Sequence, residues 1–524
     1  MSPLTLLVTP PTAPALGPDD PVKILRAEAE SLERAGDWGK AAVKYEELIR
    51  LDRTQAVFRE RYQFCLLRYL QAVRFRDGSY QKDVLTLKYS QAVRLYEIVL
   101  FNLLHNTLDK EKVPPAVLFH KGLEEFRFAL ASPEFCSDHL EGRKPDETKG
   151  LRNALQALFA DRKTMTYEEA VDAVREAAMK SKNHFPNVNP TTVVMEFLCG
   201  ACLAMDDYTV YLTPRQLREL CATLKGHHVG VGLRLKLEDN KPVVAEVLPD
   251  SPAAEVMPSL VAGDHVAAIG KKSTLGMSPE TAMDLLEGEE GTTIEIVVAS
   301  PKHGHRMIVL SRRALFIPSV HQEILGQVGY LKIQCFQETT LAEFDAKLTD
   351  LMERDCKALI LDLRGNPGGL LDVSIEIAKR FLRNGTIVST QHMDPKSSKT
   401  YLSDNPMALT IPVVVLVDGD TASAAEVLAG ALKENGRATV VGQTTYGKGC
   451  SQGLLKLPGE GELRFPAGSN AGGATGGIRI TIARFFSPTG HPYSGHGVEP
   501  DVPVDGELQV YQAQKLAQDL IGMR

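Results

Sequence analysis

Apolar residues recur at helical spacing through the first quarter of the chain. Leu25, Ala29 and Leu32, then Ala41, Ala42, Tyr45, Leu48 and Ile49, fall on single faces, with Gly36-Asp37 breaking the run. This predicts a helical domain over residues 21–137, after a Pro- and Thr-rich stretch, 1–20, whose composition predicts disorder. The polar run His139–Thr148, with its Gly and Pro, marks a linker over 138–165. A further helical segment follows over 166–224, broken near Pro186 and Pro190. From Val229 the period becomes two: Val231, Leu233, Leu235 and Leu237 alternate with Gly232, Arg234 and Lys236, and an Asp239-Asn240 turn leads into Val243–Leu248. That predicts a small, mostly-β domain over 225–313. Beyond Ser319, strand-like and helix-like stretches alternate (Val328–Ile333, Leu341–Glu353, Ala358–Leu363, Asp372–Leu382, Val413–Val417, Ala422–Glu434, Thr439–Val441). Such alternation predicts an α/β sheet with helices on its faces over 314–507, closed by a helix over 508–524.

A chain of 524 residues is too long for one hydrophobic core, in keeping with this multidomain α/β division. A net charge of −7 supplies no basic field for nucleic acid, which is not expected as a partner. The longest apolar run, Ile411–Val417, is far short of the roughly 18 residues a membrane span needs. The start of the chain lacks the basic and apolar regions of a secretory signal. Eight scattered cysteines do not form a disulfide framework. Cys199 and Cys202 have metal-like or redox-like spacing but lie in an apolar helical stretch, so core cysteines are the expectation, and no metal or other cofactor is called for.

Three motifs carry chemistry. In Asp418-Gly-Asp-Thr-Ala-Ser423-Ala-Ala-Glu426, an apolar strand ends and a helix begins. Ser423 with Glu426 is a capping-box pattern, and by itself it reads as a helix start. The same geometry also suits a nucleophile, because free N–H groups at the helix start favour a developing oxyanion. The second motif, Gly442-Gln-Thr-Thr-Tyr-Gly447-Lys448-Gly449, nearly matches a phosphate-binding loop. It lacks the Ser/Thr that holds Mg²⁺, and the segment after it reads as a strand. Lys448 is instead a candidate general base: a lysine amine made neutral by burial accepts a serine proton. The third, Arg364-Gly-Asn-Pro-Gly368-Gly369, is a glycine-rich turn whose N–H groups could form an oxyanion hole.

Taken together these segments resemble the carboxyl-terminal processing (tail-specific) serine protease family. The resemblance also takes in Val328-Gly-Tyr-Leu-Lys-Ile333, Ile478–Gly490 and Gly497-Val-Glu-Pro-Asp501, and covers residues 166–505. It implies an endopeptidase whose core is of the tail-specific protease (crotonase-like) type. Ser423 would be its nucleophile, Lys448, 25 positions later, its base, and Gln452 the residue that positions the base. The N–H groups of Ala424 and of Gly368 or Gly369 would form the oxyanion hole. Residues 225–313 resemble the family's PDZ domain, with Val229, Gly230, Val231, Gly232 and Leu233 as the carboxylate-binding loop; a small β domain without a ligand is the alternative. Substrates would be unfolded proteins or protein C-termini.

The resemblance places such a protein in the cell envelope; the missing signal leaves the cytoplasm as the alternative. Gly459–Gly477 reads as an insertion, and Cys450 stands where a larger apolar residue is usual in the family. The helical N-terminal domain, whose Gly36-Asp37-Trp38 hairpin resembles one tetratricopeptide repeat without clean further copies, is a candidate surface for a protein partner, and a homo-oligomer stays open. A rival class is a non-catalytic adaptor with a dead hydrolase core. The intact Ser423, Lys448 and Gln452 argue against it.

Overall fold

In the computed structural model, residues 21–52, 55–106, 108, 113–277, 279–288, 290–459, 474–506 and 508–523 are described. The expected disorder of 1–20 and most of the Gly459–Gly477 insertion lie outside them. The chain forms two units, Met1–Arg215 with Gly453–Thr481, and Gln216–Gln452 with Ile482–Arg524.

The first unit is helical. Gly36 takes φ +75° and Asp37 caps the helix Trp38–Leu51, accepting from the Lys40 N–H, so Pro21–Arg34 and Trp38–Leu51 form the expected hairpin. At the centre runs Pro190–Leu203, capped by Asn189 and buried from Thr191 to Cys202. Cys199 and Cys202 sit inside it, and burial pushes the Cys199 thiol up to about 12. The segment expected as a linker contains a helix, Lys149–Phe159, which buries Leu151, Leu155 and Phe159. Their spacing of four residues is helical, but the polar run before them dominated the sequence pattern. The strand Val210–Leu212 pairs antiparallel with Gly477–Arg479.

In the second unit, five antiparallel strands lie in the order Leu233–Glu238, Lys241–Val247, His265–Ile269, Thr293–Ser300, Gly304–Ser311. Asp239 and Asn240 both take positive φ, as a tight hairpin turn between twisted strands requires. Leu233, Val244, Val266, Ile296 and Leu310 pack with Ala282 and Leu286 of the helix Pro279–Leu286. His227–Gly230 pairs with Arg313–Phe316 and brackets this domain.

The larger domain is built on a six-stranded sheet in the order Val320–Leu325, Val328–Ile333, Ala358–Asp362, Val413–Val417, Thr439–Gly442, Val502–Pro503. Its first pair is antiparallel and the others parallel. Both faces are covered. Leu359, Leu361, Val413, Val415 and Val417 pack with helices Thr340–Glu353, Leu371–Lys379 and Ala424–Glu434. Ile360, Val414, Leu416 and Val441 instead face Ala513 and Ala517 of Leu508–Gly522. Burial on two faces explains why these strands read as unbroken apolar runs. It also brings the carboxyl ends of the strands Ala358–Asp362 and Val413–Val417 side by side, Asp362 opposite Leu416.

Candidate active site

Two turns leave those strand ends together. After Val417, Asp418 Oδ1 accepts from the N–H of Asp420, Thr421 and Gly365, each at 3.0 Å. Thr421 Oγ1 donates to Leu363 C=O at 2.9 Å, and Ala422 N–H donates to Asn366 C=O at 2.9 Å. The turn before Ser423 and the glycine-rich turn are thus joined by three hydrogen bonds of 2.9 to 3.0 Å. The glycine-rich turn starts from a buried Asp362 that accepts from Arg364 Nε (2.9 Å) and Nη2 (2.6 Å) and from Tyr330 Oη. Hydrogen bonding to Asp362 raises the Arg364 pKa further above its ordinary value.

Ser423 takes φ +57°, ψ −119°, a strained conformation for a residue with a Cβ. It stands between the turn and helix Ala424–Glu434, the strand–turn–helix setting that aims a serine hydroxyl outward. The capping-box expectation is met by one half: Glu426 Oε2 accepts from Ser423 N–H at 2.7 Å, but the hydroxyl makes no capping bond.

Gly368 (φ +102°) lies against this residue. A Cβ placed on it would be 2.8 Å from Ser423 Cβ and 3.1 Å from Ala424 N. Its N–H donates to Asn366 Oδ1 at 2.9 Å, while its carbonyl accepts from Phe336 N–H. Among the described residues, neither Gly369 N–H nor Ala424 N–H has an acceptor.

Lys448 lies in the turn between Thr439–Gly442 and Cys450–Lys456. A strand follows it and not a helix, which removes the phosphate-loop reading. Its N–H donates to Glu426 Oε2 at 2.8 Å, the oxygen that also accepts from Ser423 N–H. Those two nitrogens therefore lie no further apart than the two bond lengths together. Glu426 Oε1 accepts from Gly447 N–H at 2.7 Å and Thr445 Oγ1 at 2.6 Å. Glu426 is fully buried; burial raises its pKa, against the lowering pull of its four donors. All four partners donate, which suits an ionised carboxylate. Sequence reasoning saw Glu426 only as a cap. The spacing shows its bond to Ser423 but not its bonds to a turn about 20 residues away.

Gln452 lies on the Cys450–Lys456 strand, and its amide donates to Cys450 Sγ at 3.0 Å and Cys450 C=O at 3.3 Å. The structure turns that side chain toward Cys450.

In the smaller domain, Val229 and Gly230 pair with Ala314 and Arg313. Val231 and Gly232 then lead to Leu233, which opens an edge strand. The carbonyls of Val231 and Gly232 accept from Ala253 and Leu248 N–H, while their own N–H groups have no acceptor among the described residues. An open strand edge beside a helix, with free N–H groups at its start, is the arrangement that captures a peptide terminus by strand addition.

The model for peptidase family S41 matches residues 327–504, and that for the PDZ domain matches 222–299. A carboxy-terminal-processing protease of Bartonella bacilliformis is 30% identical over 59% of this chain and 69% of its own. A carboxyl-terminal-processing protease of Picosynechococcus is 33% identical over 59% and 72%. A solved structure of a photosystem II D1 C-terminal processing protease aligns over 78% of this chain and 97% of its own. Its identity is 24% and its TM-score 0.37. On the sequence relationships, the chain belongs to the carboxyl-terminal processing protease family, serine proteases of peptidase family S41 that here carry a PDZ domain.

Proposed function

We propose that this protein is an endopeptidase that cuts protein substrates near, or guided by, their C-termini through a Ser423–Lys448 dyad. One observation carries the reading: a single buried carboxylate oxygen of Glu426 holds the backbone N–H groups of both Ser423 and Lys448. Lys448 Nζ, neutral, takes the proton of Ser423 Oγ as that oxygen attacks the scissile carbonyl. The developing oxyanion is met by Ala424 N–H and Gly369 N–H; Gly368 N–H is engaged by Asn366 and instead shapes the loop. The lysine ammonium returns its proton to the leaving amine, and water then resolves the acyl-enzyme by the same route. Gln452 orients the base by swinging from Cys450 toward Lys448. The PDZ loop 229–233 holds the substrate's terminal carboxylate.

Cleavage of an unstructured protein by wild type, Ser423→Ala and Lys448→Ala tests the dyad. Both variants should be folded and inactive, because nucleophile and base act as a unit. Gln452→Ala should retain part of the activity. Residual activity above a few per cent in Lys448→Ala rules out that residue as the base. A folded wild type that binds C-terminal peptides but cuts nothing supports the adaptor instead.

A further inference from the structure

Thr445 is fully buried in the turn that leads to Lys448. Its hydroxyl accepts from Val498 N–H at 2.6 Å and donates to Glu426 Oε1 at 2.6 Å, while its N–H donates to Val498 C=O at 3.1 Å. A hydroxyl has one proton, so the proton that Val498 offers leaves Thr445 to direct its own at the carboxylate. The Glu426 carboxylate is fully buried and accepts from Thr445 Oγ1 and from the N–H groups of Gly447, Ser423 and Lys448. The buried charge therefore rests on four hydrogen bonds, and removing one leaves it under-solvated. The closing segment comes very near: a Cβ on Gly497, which takes φ +71°, would lie 2.6 Å from the Thr445 carbonyl oxygen and 2.7 Å from Thr445 Oγ1.

We propose that Thr445 is a positioning residue for peptide hydrolysis, fixing the Glu426 carboxylate in the orientation that sets the backbone of Lys448 against that of Ser423. It acts through Glu426 and takes no part in proton transfer to substrate. The proposal rests on Lys448 being the base.

Valine matches threonine in shape and removes only the hydroxyl, so Thr445→Val in the full chain is the central variant. With an unstructured protein substrate, kcat should fall about 10- to 100-fold while KM stays within about two-fold, since misplacing a reacting group by 1 Å costs about that much. Thr445→Ser, which restores the O–H, should return kcat to within about three-fold of wild type. Combined with Glu426→Gln, Thr445→Val should add nothing further to the loss, because the two act in one chain. Wild-type kcat in Thr445→Val overturns the proposal, and so does a loss that serine fails to restore.

If Thr445→Val does not fold by circular dichroism, Gly497→Ala pushes a methyl against both the carbonyl and Oγ1 of Thr445 from the closing segment. Its kcat-selective loss supports the proposal, and a wild-type kcat overturns it. Activity in Lys448→Ala would bring down the dyad itself. Full kcat in Thr445→Val beside an inactive Lys448→Ala overturns only the role of Thr445.

Discussion

Glu426 shows how one residue's environment sets both its charge and its duty. Burial lifts its pKa from the ordinary value of 4.5, and the Thr445, Gly447, Ser423 and Lys448 donors oppose the lift. A carboxyl whose pKa is raised by folding binds its proton more tightly folded than unfolded. Its ionisation therefore costs stability as pH rises from the unfolded value through the folded one. Glu426→Gln has no such titration. The stability of wild type relative to this variant is thus expected to decline as pH is raised from about 4 and to level off above the folded pKa. Urea midpoints at a series of pH values measure this, and a pH-independent difference would contradict a raised pKa. Ser423 is the second such case. Its positive φ is held by the Ala422–Asn366 and Ser423–Glu426 bonds, so the strain is sustained by the glycine-rich turn on one side and the first turn of its own helix on the other.

Among the elements, the edge strand Leu233–Glu238 and the helix Pro279–Leu286 carry the substrate-selection proposal. Substrates with a free, apolar C-terminal residue should be cut about 10- to 100-fold faster, below saturation, than the same chains amidated, because a charge-assisted contact is worth about 1.5–3 kcal/mol. Equal rates would mean that the loop 229–233 does not read C-termini. Gly232→Ala tests the same loop from the protein side. A Cβ there would come within 2.0 Å of Ser251 Cβ, and φ is +85°, so the loop must shift. Binding of a C-terminal peptide, followed by fluorescence anisotropy, should weaken about ten-fold or more, on the same valuation of the carboxylate contact. Reaction of Ser423 with a small serine-directed reagent should be little changed.

Across the whole molecule, long-range pairs hold what local pattern cannot. In the helical unit, Glu196 on the central helix is fully buried and accepts from Arg74 Nη2 (2.7 and 2.9 Å) and Gln71 Nε2 (2.7 Å) on the helix Ala56–Arg76. Glu196→Ala leaves the Arg74 guanidinium buried without its carboxylate, which should cost about 3–5 kcal/mol. Thermal unfolding of the variant measures it, and a loss under about 1 kcal/mol would mean that water reaches and solvates Arg74. Among the described residues, no helix is long and apolar enough to cross a membrane.

The sequence by itself determined which segments are strands and helices in the core, because two-sided burial writes unbroken apolar runs at Ala358–Asp362 and Val413–Val417 and leaves punctuation at Gly368-Gly369 and Gly447–Gly449. It also offered Ser423 and Lys448 as candidates, through the motifs around them and the family those motifs resemble. It missed the helix Lys149–Phe159, where three apolar residues stood against a longer polar preface. Only the tertiary structure decided what Glu426, Asn366 and Thr445 do. Each bonds to segments some 20 to more than 50 residues away: Glu426 to the Lys448 turn, Asn366 to Ile333 C=O and Ala422 N–H, Thr445 to Val498. A buried polar side chain takes its meaning from the partners that the fold brings to it, and partners so remote in the chain leave no periodic trace.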